Sequence, residues 1–250
     1  MEAADLETRL LTLIQDNGCL REERRGQDES PKEASPSDHF SADLIFREDT
    51  GFELWLGSLD DALCLDSLRD LGFGALLNCA LEECERECAA HRGAALGRRR
   101  AHARGRSAMD GVGDGASSLD RDLIWEMALF ESEWYTKWLG RDIAFLGFSA
   151  ADQEDYDMVR HFAEVTEFLL RCRREARKVL VHCVMGINRS TAALTAFLCG
   201  GLGLPLEEAI DLVSKGRGEV LSNAVFLRQL IAAYGTEEAA TGQDFSDPGR

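Results

Sequence analysis

Positive charge is what this chain has least of: 28 Lys and Arg stand against 45 Asp and Glu, a formal net charge of −17 with a pI near 4.7. Such a surface repels polyanions, so nucleic acid and anionic membranes are poor partners for the chain as a whole, although a local basic site is compatible with it. Nor is there an apolar run long enough to span a bilayer, and the start Met1-Glu-Ala-Ala-Asp5 lacks the basic region of a secretory signal. A soluble protein of the cytoplasm, with the nucleus also open to it, is expected. Cys84 and Cys88 have no second ligand pair at matching spacing, so zinc is not expected, and nothing in the chain asks for another metal or a cofactor.

What is present is enough for one large core with tails: 250 residues, 45% of them hydrophobic. Eight cysteines in a chain of this length fit a reducing compartment better than a disulfide framework. The chain is organised around Arg177-Lys-Val-Leu-Val-His-Cys-Val-Met-Gly-Ile-Asn-Arg-Ser190. Lys178 to Val181 reads as a buried strand, and Ser190-Thr-Ala-Ala-Leu-Thr-Ala-Phe-Leu198 as a packed helix. Five residues, Val184, Met185, Gly186, Ile187 and Asn188, separate Cys183 from Arg189. That is short enough for a compact ring whose N–H groups converge on one anion, with Gly186 easing the curvature. The N-terminus of the following helix adds partial positive charge. These surroundings favour the thiolate of Cys183. Arg189 offers a planar fork that matches two phosphate oxygens.

His182-Cys183, five residues, then Arg189-Ser190 resembles the active-site loop of cysteine-dependent protein tyrosine phosphatases, and its flanks resemble the dual-specificity branch. The resemblance runs from about residue 44 to 234 and includes Leu54-Trp-Leu-Gly-Ser58, Leu77-Asn-Cys-Ala80, Ala150-Ala-Asp152 and Ser222-Asn-Ala-Val-Phe-Leu-Arg-Gln-Leu230. It implies an α/β fold, a central, mostly parallel twisted sheet flanked by helices, with the site at the carboxyl ends of the strands. It also implies Cys183 as nucleophile, residues 184–189 as the phosphate-binding loop, Ser190 as a hydrogen-bond donor to the departing sulfur, and Asp152 as general acid. Where the family usually has proline and glycine, Ser222 and Val225 stand here.

Along the chain, Leu6, Leu10, Leu13 and Ile14 mark a helix over 3–17 that stops at Asn17-Gly18, with docking on the domain as its simplest use. Residues 21–38, with Pro31 and Pro36, read as a flexible linker, so 1–43 is a helix-plus-linker segment ahead of a phosphatase domain at 44–237. Phe52, Leu54 and Leu56 alternate as a strand, Leu63 to Leu71 is helical, and 74–79 is a second strand. Strand, helix, strand implies a parallel pair, with ligands beyond the carboxyl ends, where Asn78 and Cys79 lie. Residues 84–125 break the pattern: a charged stretch, arginines from Arg98 to Arg106, then Gly111-Val-Gly-Asp-Gly115. This reads as a largely disordered surface insertion whose arginines suit an acidic partner. An acidic tail follows at 238–250.

A third strand at 142–147 leads into Phe148-Ser-Ala-Ala-Asp-Gln-Glu-Asp155 and a helix marked by Met158, Phe162, Val165, Leu169 and Cys172. Asp155 is expected at the helix N-cap and Asp157 at the helix edge, leaving Asp152 free of the capping duty. The expected activity is hydrolysis of phosphotyrosine and/or phosphoserine and phosphothreonine monoesters in phosphoproteins. An RNA 5′-triphosphatase, reminiscent in Asn188-Arg189, and a phosphoprotein-binding module without turnover are the competing readings; the first lacks a further histidine after Cys183, the second is disfavoured by intact Cys183, Arg189 and Asp152.

Overall fold

The computed structural model describes residues 3–27, 40–103 and 121–236, without side chains at 22–27, 94–103 and 121–122. In chain order these form α1 (Ala3–Gln27), β1 (Asp43–Arg47), β2 (Glu53–Gly57), α2 (Leu59–Ala62), α3 (Leu65–Asp70), β3 (Ala75–Asn78), α4 (Leu81–Ala103) and α5 (Arg121–Met127). There follow α6 (Ser132–Leu139), β4 (Ala144–Gly147), a 3-10 turn (Val159–His161), α7 (Phe162–Arg174), β5 (Lys178–His182), α8 (Arg189–Gly200), α9 (Leu206–Arg217) and α10 (Ala224–Tyr234).

The five strands make one sheet in the order β1-β2-β5-β3-β4, parallel throughout except for β1, which runs antiparallel to β2. Val179, Leu180 and Val181 of β5 are fully buried, as a central strand covered on both faces requires, which is why it reads as a continuous apolar run. Gly57, His182, Asn78 and Gly147 lie side by side across β2, β5, β3 and β4. All four parallel strands therefore end in one row, and the loops leaving that row share one edge of the sheet. α8 enters the core directly after β5, buried from Arg189 to Cys199; a helix covered all round has no polar face to lose. No helix among the described residues is long and apolar enough to cross a membrane.

Three expectations are corrected. β2 and β3 are parallel, but β5 lies between them; the strand that separates them arrives about a hundred residues later, so local spacing carries no sign of it. α1 does not stop at Asn17-Gly18. The Asn17 amide donates to Ser214 Oγ at 2.8 Å and Asp211 Oδ1 at 3.1 Å on α9, so the residue that resembled a stop is a tertiary contact, and the helix continues to Gln27, well into the stretch read as linker. Its apolar side is docked, with Leu6 and Leu10 buried.

The third correction is the insertion. Residues 81–103 and 121–127 are helical, and Cys84, Cys88 and Ile124 belong to the core. Cys84 and Cys88 stand one turn apart between exposed Glu82, Glu85, Arg86 and Glu87. A stripe one small residue wide, made of cysteine, buries α4 without a leucine-type period. His91 stacks on Trp125 with centroids 5.2 Å apart, and Arg92 Nη1 donates to the Glu126 carbonyl at 3.1 Å, so α5 closes on α4. The linker at 28–39, the segment 104–120 and the tail at 237–250 lie outside the described residues, as do the side chains of the arginines from Arg98 to Arg106.

Candidate active site

The loop from Cys183 to Arg189 leaves the row of strand ends at its centre. Its carbonyls are taken from outside: Leu59 N–H donates to Val184 O at 3.0 Å, Arg217 Nη2 to Met185 O at 3.2 Å, and Leu221 N–H to Ile187 O at 3.0 Å. In a trans peptide the next N–H points opposite to the carbonyl. The N–H groups of Met185, Gly186 and Asn188 are therefore turned inward, toward the ring. Gly186 N–H reaches Cys183 Sγ at 3.2 Å, and Ser190 Oγ donates to the same sulfur at 3.3 Å. Gly186 has φ +74°, and a Cβ there would stand 2.5 Å from the Gly57 carbonyl oxygen. Only glycine fits this crossing of the loop over the end of β2.

Arg189 is 3% exposed. Its Nη1 is engaged by Glu83 Oε2 and by the Ala150 carbonyl at 3.2 Å, while its buried Nε has no hydrogen-bond partner. Burial works against the charged guanidinium, but the negative charge of Cys183 and Glu83, with Asp152 behind them, outweighs it and raises the pKa. The side chain is thus pinned at one nitrogen and open at another. Glu83 is a site residue that sequence reading missed. The available signal was an acidic residue in the first turn of α4, just past the strand end that carries Asn78 and Cys79.

Asp152 is exposed on the loop after β4, and both carboxylate oxygens are occupied: Asn188 Nδ2 donates to Oδ2 at 2.9 Å and Asn223 Nδ2 to Oδ1 at 2.9 Å. Asp155 is not a cap: the chain first makes a 3-10 turn, in which Asp157 Oδ1 accepts from Val159 N–H at 3.1 Å, and α7 starts only at Phe162 with His161 at its N-cap. A cleft lined by Asp152, Gln153, Glu154, Asn188, residues 222–225 and Arg228 opens beside the loop.

His182 lies beneath the ring. Its Nδ1 is 3.3 Å from the Cys183 carbonyl oxygen, which can only accept, so the neutral ring carries its proton there; Nε2 is buried without a partner. Burial holds its pKa down to about 4, against smaller opposing effects of the Cys183 carbonyl and Asp61. Cys79 and Cys84 sit near the same sulfur. Burial first, and the neighbouring thiols after it, push Cys79 well up and Cys84 to about 12, the latter against the opposing effect of its hydrogen bond to Asn78, so neither competes as a thiolate.

Fold and site together define an α/β protein that presents a cysteine and an arginine on one anion-holding loop at the carboxyl edge of a parallel sheet. Residues 128–236 match the family model of the dual specificity phosphatase catalytic domain. Human dual specificity protein phosphatase 26 is 39% identical over 94 residues, 37% of this chain and 44% of that protein. Human protein phosphatase Slingshot homolog 1 is 36% identical over 89 residues, 36% of this chain and 8% of that protein. The chain thus spans less than half the length of these curated relatives. A solved mouse structure described as a dual specificity phosphatase aligns with 85% of this chain and 96% of its own at TM-score 0.50 and 17% identity, a likeness of fold. Residues 128–236 are thus similar to the dual specificity phosphatase catalytic domain, and the fold of the chain is like that of the solved mouse structure.

Proposed function

We propose that this protein hydrolyses phosphomonoesters on protein side chains, phosphotyrosine and/or phosphoserine and phosphothreonine, through a phosphocysteine intermediate. The observation that carries the reading is Cys183 Sγ facing the Gly186 N–H and the Ser190 hydroxyl, on the same loop as the buried Arg189 whose Nε is unpartnered. Sulfur held this way is aimed at whatever the ring binds. A phosphoryl group seated on the N–H groups of residues 185, 186 and 188 and on Arg189 has its phosphorus in front of that sulfur.

In the first step Cys183 sulfur forms a bond to phosphorus as the ester oxygen leaves, and the carboxyl proton of Asp152 passes to that oxygen. In the second, water attacks the phosphorus, Asp152 as carboxylate takes the water's proton, and the S–P bond breaks to return the thiolate, which the Ser190 O–H stabilises. Inorganic phosphate leaves. The N–H ring and Arg189 hold the equatorial oxygens in both steps, where most of the charge lies. Val184, Met185, Gly186, Ile187, Asn188 and Arg189 form the binding surface; His182 supports the loop as a neutral ring and transfers no proton.

The test is phosphate release from a panel of tyrosine-, serine- and threonine-phosphorylated peptides. Wild type is expected to turn over, and Cys183→Ser to bind phosphopeptide without turnover, because a hydroxyl keeps the ring and removes the thiolate. Appreciable turnover by that variant overturns the mechanism.

A further inference from the structure

Among the described residues, the carboxylate proposed as general acid is held by side chains from two different loops. Asn188, within the phosphate ring, and Asn223, ahead of α10, each give one amide N–H to a different oxygen of Asp152. The two asparagines are themselves joined: Asn188 Oδ1 accepts from Asn223 N–H at 3.0 Å and from Ser222 Oγ at 3.1 Å. Asn223 Oδ1 in turn caps α10 by accepting from Val225 N–H at 3.1 Å. Every polar atom of both carboxamides is thus used, and the carboxylate is gripped from two sides.

Two further observations show the arrangement as built rather than incidental. Leu221 has φ +52°, the left-handed region that a leucine enters only under constraint, and its N–H donates to the Ile187 carbonyl. The loop before α10 is therefore strained onto the phosphate ring just where it delivers Ser222 and Asn223. Independently, Gln229 of α10 holds the far end of the Asp152 loop, accepting from Met158 N–H at 2.8 Å and donating to the Tyr156 carbonyl at 2.8 Å. Helix α10 and its cap anchor both ends of that loop.

We propose that Asn188 and Asn223 are positioning residues which fix the carboxyl group of Asp152 over the phosphate ring, so that the acid stands ready before substrate arrives. The proposal rests on the assignment of Asp152 as general acid. A fixed carboxyl has two faces to satisfy in turn: it must deliver a proton to the leaving oxygen, then receive one from water at the same place. Each amide N–H takes one lone pair of its oxygen, and a carboxyl oxygen has a second one for the transfers. Because they bind side chains and not the substrate, the amides bear on the proton-transfer step and leave substrate binding alone.

The experiment uses the full chain and a series of substituted phenyl phosphates spanning acidic to weakly acidic leaving phenols. Asn223→Ser keeps a good helix-capping oxygen and removes the amide. It is expected to retain its melting temperature, KM and rate with the most acidic phenol, while kcat for the poorest leaving group falls about tenfold or more, within the ~10²- to 10⁴-fold that general acid catalysis contributes. Asn188→Ser, which leaves the α10 cap in place, should steepen the same dependence. In an Asp152→Asn background, Asn223→Ser should add nothing. If Asn223→Ser slows all esters equally, or adds its full effect to Asp152→Asn, the positioning role is overturned. If Asp152→Asn itself leaves the leaving-group dependence unchanged, it is the acid assignment that fails.

Discussion

The two loops that meet at the site are held in opposite ways. The ring at 183–189 is fastened by its backbone: three of its carbonyls are bound from outside, and the two residues that close it, Cys183 and Arg189, are buried. The loop carrying Asp152 is exposed and fastened by side-chain amides that come from 36 and 71 residues away. The strand, ring and helix of the first follow one another in sequence, although the donors on the ring's carbonyls, Leu59, Arg217 and Leu221, are distant. Side-chain fastening is written in pairs of distant residues and has no local pattern. The first kind tolerates almost no change, and the second degrades by steps.

Substitutions within the ring test the intolerant half. Arg189→Lys keeps the charge but loses the fork and the pinned Nη1, and is expected to lower kcat/KM by on the order of 10²- to 10³-fold, the size of losing a preorganised donor to an oxyanion; steady-state kinetics with a phosphotyrosine peptide check this. Gly186→Ala should follow closely. It places a methyl against the Gly57 carbonyl and forces a left-handed alanine, a backbone cost of ~1–2 kcal/mol before any clash. Activity should fall steeply while thermal melting drops by only a few degrees, because the damage is confined to the ring.

The tolerant half is sharpened by the neighbouring carboxylates. Asp155→Asn is expected to stay within about twofold of wild type on every ester, since Asp155 is exposed and does not cap the turn, whereas Asp152→Asn should lose on the order of 10²-fold on poor leaving groups. Reversal of that ranking would mean that the acid is misassigned. The smallest effect is on stability. His182 has a folded-state pKa of about 4 against an ordinary 6.5, so the unfolded chain takes up its proton first as pH falls. The contribution is intact above about pH 6.5 and is lost toward pH 4, by at most ~3 kcal/mol. Urea unfolding at pH 7 and pH 4.5 should show a shallower decline for His182→Gln than for wild type.

The same contrast explains what could be read beforehand. β5, the ring, α8, and the apolar faces of α7, α9 and α10 carry clear periodicity, and Cys183, Arg189 and Ser190 fall together where the motif places them. Asp152 lies beside the ring with both carboxylate oxygens engaged. The grip of Asn188 and Asn223 on Asp152, and of Glu83 on Arg189 across 106 residues, could not be read because nothing local distinguishes them from other polar residues. Two departures from the pattern it resembles did mark the place: Ser222, where proline is usual, donates to Asn188, and Val225, where glycine is usual, gives its N–H to Asn223 Oδ1. α4 carries no leucine-type period because its buried stripe is cysteine.

The N-terminal helix reaches the ring through charge. Arg21 of α1 binds Asp43 Oδ1, Arg217 Nη1 binds Asp43 Oδ2 at 3.0 Å, and Arg217 Nη2 holds the Met185 carbonyl. One carboxylate thus serves two arginines, and only the second touches the ring. If α1 undocks, Asp43 keeps a partner and Arg217 keeps its grip, so the linkage fails safe. The seats of Leu6 and Leu10 and the Asn17 bonds to Ser214 and Asp211 would be lost, while the hold of Arg217 on the ring stays.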